Sequence, residues 1–384
     1  MYLACLTLRD FRNIEAAELR FGPGLNLITG ANGHGKSNLL EAIGMLATGR
    51  SFRKAPGSAL RRHGQPWFHI QGESRARELD HHVSFYGESG RQAVKINGKP
   101  TSAASAMGQA LAAVICTPDA LRLVQDGPAI RRSFLDWVTF ANIRGHAGAA
   151  RDYQSALKAR NKLLRNPHYN AREWQVWEEQ LAELGARIAT HRRVVLAQLR
   201  PHLDAALVAL GLDPERFSIS LNCQLAKQDP FWADQGDTLQ ASEIAQACKK
   251  YGELLLASRE GDRRGGNSTV GPHRDDLTLK LDGYPLARFG SQGQQKRTAL
   301  ALKLAEAALL EKNLGEAPLF LLDDPAAELD RTGIQLLMGN IAARGGQVFV
   351  ATCEASDIPW SGPSPESFQV RDGLFETLQR EDHP

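Results

Sequence analysis

Gly30-Ala31-Asn32-Gly33-His34-Gly35-Lys36-Ser37 sets glycines, a lysine and a hydroxyl at the spacing G-x-x-x-x-G-K-S of a phosphate loop. Such a loop presents backbone N–H groups to the oxygens of a triphosphate, and its lysine reaches the β and γ phosphates. The Ser37 hydroxyl is placed to sit on Mg2+, and Asn38 extends the candidate nucleotide-binding run into the following helix. A second set is Leu319-Phe320-Leu321-Leu322-Asp323-Asp324, four apolar residues and then two carboxylates. Asp323 is the candidate for the metal shell, and Asp324 for positioning or activating the attacking water. A third, Ser291-Gln292-Gly293-Gln294, offers a serine hydroxyl, backbone N–H groups and a helix N-terminus to a γ-phosphate. These residue types imply binding of Mg·ATP and its hydrolysis.

Those side chains need particular elements to hold them. Leu25-Asn26-Leu27-Ile28-Thr29 reads as a short buried strand, and a helical period begins at Asn38-Leu39-Leu40-Glu41-Ala42-Ile43. Leu319 to Leu322 reads as a second buried strand, ended by Pro325. Lys36 and Asp323 stand 287 positions apart, so the two halves of one ATPase flank a helical insertion. The expected organisation is 1–118 for the half with the phosphate loop, 119–260 for a helical arm, and 261–384 for the half with the acid pair. Strands are expected at Leu3 to Leu8, Ala17 to Phe21, Val83 to Tyr86 and Ala93 to Ile96, with hairpin turns at Asn97-Gly98 and Asp282-Gly283. Helices are expected near 129–145, 148–165, 172–199, 202–210, 239–258 and from Gln294 to Glu311. In the fourth-to-last of these stretches, Trp174, Trp177, Leu181, Leu184, Ile188, His191 and Val195 recur at spacings of three and four, the face of a bundle helix ~40 Å long. Gly261 to Ser268 and the tail after Pro363 read as disordered.

The chain has 384 residues, 42% hydrophobic, and a net charge of only +3, so a nucleic-acid surface must come from a local patch. Arg151, Lys158, Lys162 and Arg165 supply one, falling within about 60° of each other on a helical wheel. They are the candidate DNA contacts, with a solvated face as the alternative; Arg160 falls on the apolar side, where it should make a structural pair. Five scattered cysteines without C-x-x-C spacing suggest neither zinc nor disulfides. No apolar run approaches the ~20 residues of a membrane span and no signal peptide is visible, so a cytoplasmic, non-membrane protein is expected.

Several segments together resemble the RecF family of bacterial recombination and gap-repair proteins, related to the SMC-type ATPases. They are Leu8-Arg9-Asp10-Phe11-Arg12-Asn13, the phosphate loop, Pro118-Asp119-Ala120-Leu121, Gly127-Pro128, and Arg131-Arg132-Ser133-Phe134-Leu135-Asp136. Arg160-Asn161-Lys162-Leu163-Leu164, Gly271-Pro272-His273-Arg274-Asp275-Asp276, Ser291 to Gln294, and Leu322-Asp323-Asp324 through Glu328-Leu329-Asp330 complete the set. The resemblance implies an α/β fold, an ABC/SMC-type P-loop ATPase head with mixed sheets, interrupted by a mainly helical second domain. It makes Ser291 to Gln294 a signature motif that meets the nucleotide of an opposite subunit, hence an ATP-dependent homodimer. It also implies DNA as partner, RecO and RecR as helpers in loading RecA, and a role in gap repair, replication restart and the SOS response. Aspartate at 324 is shorter than the glutamate common in ABC transporters, so slow turnover is expected.

Three positions depart from the pattern. Ile130 replaces an acid before Arg131-Arg132, Ala327 replaces a frequent serine, and Cys353 lies near where many ABC ATPases have a switch histidine. Two other readings stay open on the residues alone: a small-molecule kinase whose inserted helices form a lid, and a scaffold that uses bound ATP only to organise partner proteins.

Overall fold

Leu25–Thr29 forms a strand with its first four residues buried, because it lies inside a sheet and not at an edge. In the computed structural model, which describes residues 1–88, 90–101, 104–166, 171–228, 232 and 240–378, that sheet has six strands. Their order is Leu374–Leu378, Glu366–Arg371, Leu25–Thr29, Val348–Thr352, Leu319–Asp323 and Ala113–Cys116. The last five pair in parallel, and Leu374–Leu378 closes one side as an antiparallel hairpin. Ala351 stands opposite both Ile28 and Asp323, so the carboxyl ends of three strands lie abreast.

A second six-stranded sheet is antiparallel, in the order Ile14–Arg20, Tyr2–Phe11, Trp67–Ala76, Leu79–Glu88, Arg91–Ile96 and Lys99–Thr101. The helix Lys36–Thr48 packs against strands of both sheets and is buried on almost every side. Leu39, Ile43 and Leu46 join Leu6, Phe68 and Phe85 of the antiparallel sheet and Phe349 of the parallel one in a single core. The phosphate loop thus opens a helix that is itself fixed by the core.

The chain divides into two compact units, residues 1–122, 206–212 and 292–384, and residues 123–205 and 213–291. Residues 261–291, grouped with the second ATPase half on sequence, therefore pack in the helical unit. That unit contains the helices Pro128–Asn142, His146–Leu164 and Ala241–Gly265, most of Ala171–Ala209, and a three-stranded sheet of Phe217–Asn222, Asp276–Leu281 and Tyr284–Pro285. Among the described residues no helix is long and apolar enough to cross a membrane.

Three local expectations are corrected. The helices expected at 172–199 and 202–210 are one element, Ala171–Ala209, which runs through Pro201. Pro201 is exposed and Ala197, whose carbonyl loses its helical partner, is partly exposed, so water can replace that hydrogen bond. Buried Leu199 and Leu203 carry the apolar face across the break. Gly261 to Ser268 is ordered: the helix Ala241–Gly265 takes in its first five residues, and Asp262 among them is a buried acceptor for Arg160 and for the Thr269 N–H. The tail forms Glu366–Arg371 and Leu374–Leu378, since strand pairing with Leu25–Thr29 outweighs its polar composition. From 379 onward it lies outside the described residues.

Arg160 has no exposed surface. Its guanidinium donates to Asp262 and Ser268 at 2.7 Å and to Glu178 at 3.1 Å, and lies 5.5 Å from the Trp174 ring centre. Removing it takes the guanidinium from two buried carboxylates, leaving Glu178 with Arg259 and Asp262 with the neutral donors Ser258 and Thr269. Arg160→Ala is expected to lower unfolding free energy by roughly 3–5 kcal/mol, read as a fall in the denaturant midpoint.

Candidate nucleotide site

The phosphate loop leaves the strand Leu25–Thr29 at Gly30, where φ is +148°. A β-carbon there would come 2.4 Å from the Val370 carbonyl oxygen of the neighbouring strand, so only glycine fits. Further on, Gly35 caps the helix with no side-chain hydrogen bond, and the first turn carries no acid. The helix start therefore keeps its N–H groups and its positive dipole end for an anion. The loop is braced from outside: Gly373 N–H donates to the His34 carbonyl at 2.9 Å, and Asn13 Nδ2 donates to the same oxygen at 3.2 Å.

Lys36 is 6% exposed. Its ammonium donates to the Gly30 carbonyl at 2.6 Å and to the Ala31 carbonyl at 3.1 Å, folding back over Gly30 to Gly35. The Ser37 hydroxyl donates to Asp323 at 2.7 Å, across 286 positions of sequence. Burial pushes the Asp323 carboxyl above its ordinary range, opposed by the Ser37 hydroxyl and by Arg53 at 3.9 Å. A hydroxyl and a carboxylate held this close are hard oxygen donors suited to Mg2+, so the residues fit that ion. Asp324 follows in the left-handed region, φ 48° and ψ 55°, its N–H bonded to the Ala351 carbonyl at 2.8 Å.

The other candidates are placed as follows. Ser291, Gln292 and Gly293 are exposed and Gln294 partly so, with Gln292 opening the helix Gln292–Leu314. Arg151, Lys158, Lys162 and Arg165 are all exposed. Arg165, however, donates to the Gly266 carbonyl at 3.0 Å and to Asn267 at 2.8 Å, so it is tied to its own unit.

Sequence reasoning did not single out Arg12, Asn13, Asn38's partner network or Arg53 as site residues. Asn38 Nδ2 donates to Asn13 at 2.8 Å, and Arg53 donates to Asn38 at 2.9 Å. Buried Glu41, on the loop's own helix, accepts from Arg12 at 2.7 and 2.8 Å. Beside this network lies a cavity of about 500 Å3, lined by Arg12, Asn13, Asn38, Arg61 and His63 among others, a size that suits a nucleoside. The one available signal was that Leu8 to Asn13 reads as a family segment.

The match to the family model described as the RecF/RecN/SMC N-terminal domain covers residues 2–359. The DNA replication and repair protein RecF of Magnetococcus marinus is 61% identical over 380 residues, 98% of this chain and 97% of the relative. The chain belongs to the RecF family. The RecF of Pectobacterium atrosepticum is 34% identical over the full length of both chains. Among solved structures, the recombination mediator protein RecF with ATP, of the RecFOR pathway, superposes with a TM-score of 0.85 at 30% identity over 98% of each chain. The Smc head of Pyrococcus furiosus, at 16% identity and a TM-score of 0.52, shares the fold. The architecture is thus that of a RecF and SMC ATPase head, α/β with mixed sheets and helical segments.

Cys353 follows the strand Val348–Thr352 and is exposed. Its thiol donates to Asn32 at 3.3 Å, and the Lys36 ammonium lies 3.8 Å from the sulfur. A maleimide on that sulfur would crowd the loop lysine. N-ethylmaleimide is expected to abolish ATP binding, ATP to slow the modification, and Cys353→Ser to resist it; equilibrium binding of a fluorescent ATP analogue reads all three.

Proposed function

We propose that the chain is an ATP-dependent DNA-binding protein of recombinational gap repair, replication restart and SOS induction. In this reading it is a switch that dimerises on ATP, hydrolyses it slowly with stimulation by DNA, and helps load RecA together with RecO and RecR. The observation that carries it is the 2.7 Å contact of Ser37 with Asp323 beside the loop lysine, in a chain that superposes on RecF with ATP.

The roles follow from the geometry. Gly30 to Ser37, with Asn38, cradle the phosphates on backbone N–H groups, and Lys36 exchanges its carbonyl partners for phosphate oxygens. Ser37 and Asp323 would hold Mg2+, which would supply positive charge beside the phosphates. Asp324, at the strand end, positions the attacking water and accepts its proton. Ser291 to Gln294 remain exposed at a helix start, as a motif acting on a second subunit's nucleotide must. The exposed cations Arg151, Lys158 and Lys162 face DNA phosphates, with Arg165 committed to Gly266 and Asn267.

The deciding experiment follows DNA binding and molecular mass together by light scattering, with and without Mg·ATP, over a salt series. Binding and dimer mass are expected to rise together with ATP and to weaken steeply with salt. ATP binding without either change would refute the switch. Lys36→Ala is expected to abolish ATP-dependent dimerisation. Ser291→Arg is expected to keep ATP binding and remain monomeric; a dimer in that variant would refute the action of the motif in trans.

A further inference from the structure

Two family segments have no part in the nucleotide site, Arg131 to Asp136 and Gly271 to Asp276. Both lie in the unit of residues 123–205 and 213–291, where they meet. Arg131 forms a two-armed pair with Asp276 at 2.8 and 2.9 Å, and Arg132 donates to the Asp275 carbonyl at 2.8 Å. Arg192 links the segments again, donating to Asp136 at 2.8 Å and to Asp275 at 2.7 Å.

Over this junction is a cavity of about 480 Å3. Its floor is rigid. His273 Nε2 lies 3.0 Å from the Ser268 carbonyl and must donate to it, which leaves Nδ1 as acceptor for the Tyr153 hydroxyl at 2.7 Å. Gly271, at φ +129°, permits that approach, because a β-carbon there would fall 2.1 Å from the Tyr153 oxygen. The walls differ in chemistry. Ile188 and Pro272 are apolar, whereas Arg132, Arg151 and Gln154 bring donors and Asp136 an acceptor. Three arginines line the space; Arg192 is paired with Asp136 and Asp275 and Arg151 lies 3.4 Å from the exposed Asp152, whereas Arg132 meets a carbonyl oxygen, so the cavity keeps a positive charge for an anion. One N–H of Arg132 goes to Asp275, and a guanidinium carries five. The volume exceeds what a lone phosphate fills and suits a nucleotide.

We propose that this cavity is a second nucleotide subsite, taking one phosphate-bearing nucleotide of an unpaired DNA strand. The phosphate lies between Arg132 and Arg151, and the base packs on Ile188 and Pro272 with Gln154 and Asp136 at its polar edge. The strand must be unpaired because a base stacked in a duplex cannot enter a concave pocket. This inference rests on the DNA-binding reading above and names a site for it.

The test uses the full-length protein, with and without Mg·ATP, and a fluorescein-labelled oligothymidylate followed by anisotropy. Arg132→Ala is expected to weaken binding roughly tenfold and to reduce the salt slope by about one. Gln154→Trp, at an exposed position, should fill the mouth without disturbing the floor; it carries the test if Arg132→Ala fails to fold. Thymidine monophosphate should displace the strand from the wild-type protein at constant ionic strength, and lose that effect with Gln154→Trp. Unchanged strand affinity in both variants would overturn the subsite. Equal competition by inorganic phosphate, or an equal loss of duplex binding, would overturn its nucleotide or unpaired character. Absence of DNA binding by the wild-type protein under all conditions would instead refute the DNA-binding reading itself.

Discussion

Val348–Thr352 pairs in parallel with Leu25–Thr29 on one side and with Leu319–Asp323 on the other, and the proposed nucleotide site depends on that register. Gly30 continues from the first of these strands, Asp323 ends the third, and Cys353 follows the middle one. A slip of one residue would turn each strand's side chains to the opposite face. Ser37 could then no longer reach Asp323. Since the strands come from opposite ends of the sequence, neither half of the chain can form the site by itself. Parallel strands need long connections, and here a connection carries the whole second unit.

That second unit is held differently. Its interior contains Arg160, Arg192, Glu178, Asp262 and Asp275, all nearly or fully buried. Ion pairs of this kind return little net stability against their desolvation, but breaking one is costly. Their effect is geometric. Arg192 fixes Asp136 and Asp275, and thereby the spacing of Pro128–Asn142 from the loop before Asp276–Leu281. Burial pushes the Asp275 carboxyl up to about 7 despite its contact with Arg192.

The legibility of the sequence followed the range of the interactions. Gly30 to Ser37 was readable because strand, loop and helix are contiguous, and Leu319 to Asp324 because a fully buried strand shows as an unbroken apolar run. Arg160 was readable from its place on the wheel. The continuity of Ala171–Ala209 was not, because proline is a local signal and the packing of Leu199 and Leu203 that overrides it is not local. The order of 261–268 depends on Arg160, about a hundred positions away, and the tail strands depend on Leu25–Thr29. Arg12, Asn13 and Arg53 join the site through contacts with Asn38, Glu41 and Asp323 that no spacing rule encodes.

Asp324 shows how the acid pair and the proposed signature motif are joined mechanically. Aspartate is among the few non-glycine residues that adopt the left-handed conformation, and neighbouring contacts fix Asp324 in it. The Asp324 N–H is locked on Ala351, and Pro325 starts a short helix that ends at Glu328. Lys296 then clamps that helix, donating to the Glu328 carbonyl at 2.6 Å and lying 3.2 Å from its carboxylate. Lys296 stands on the first turns of Gln292–Leu314, the helix that begins with Gln292, Gly293 and Gln294. The start of that helix is therefore tied to the short helix that follows Asp324. The physical link between the acid pair and that helix start is one lysine and one helical turn.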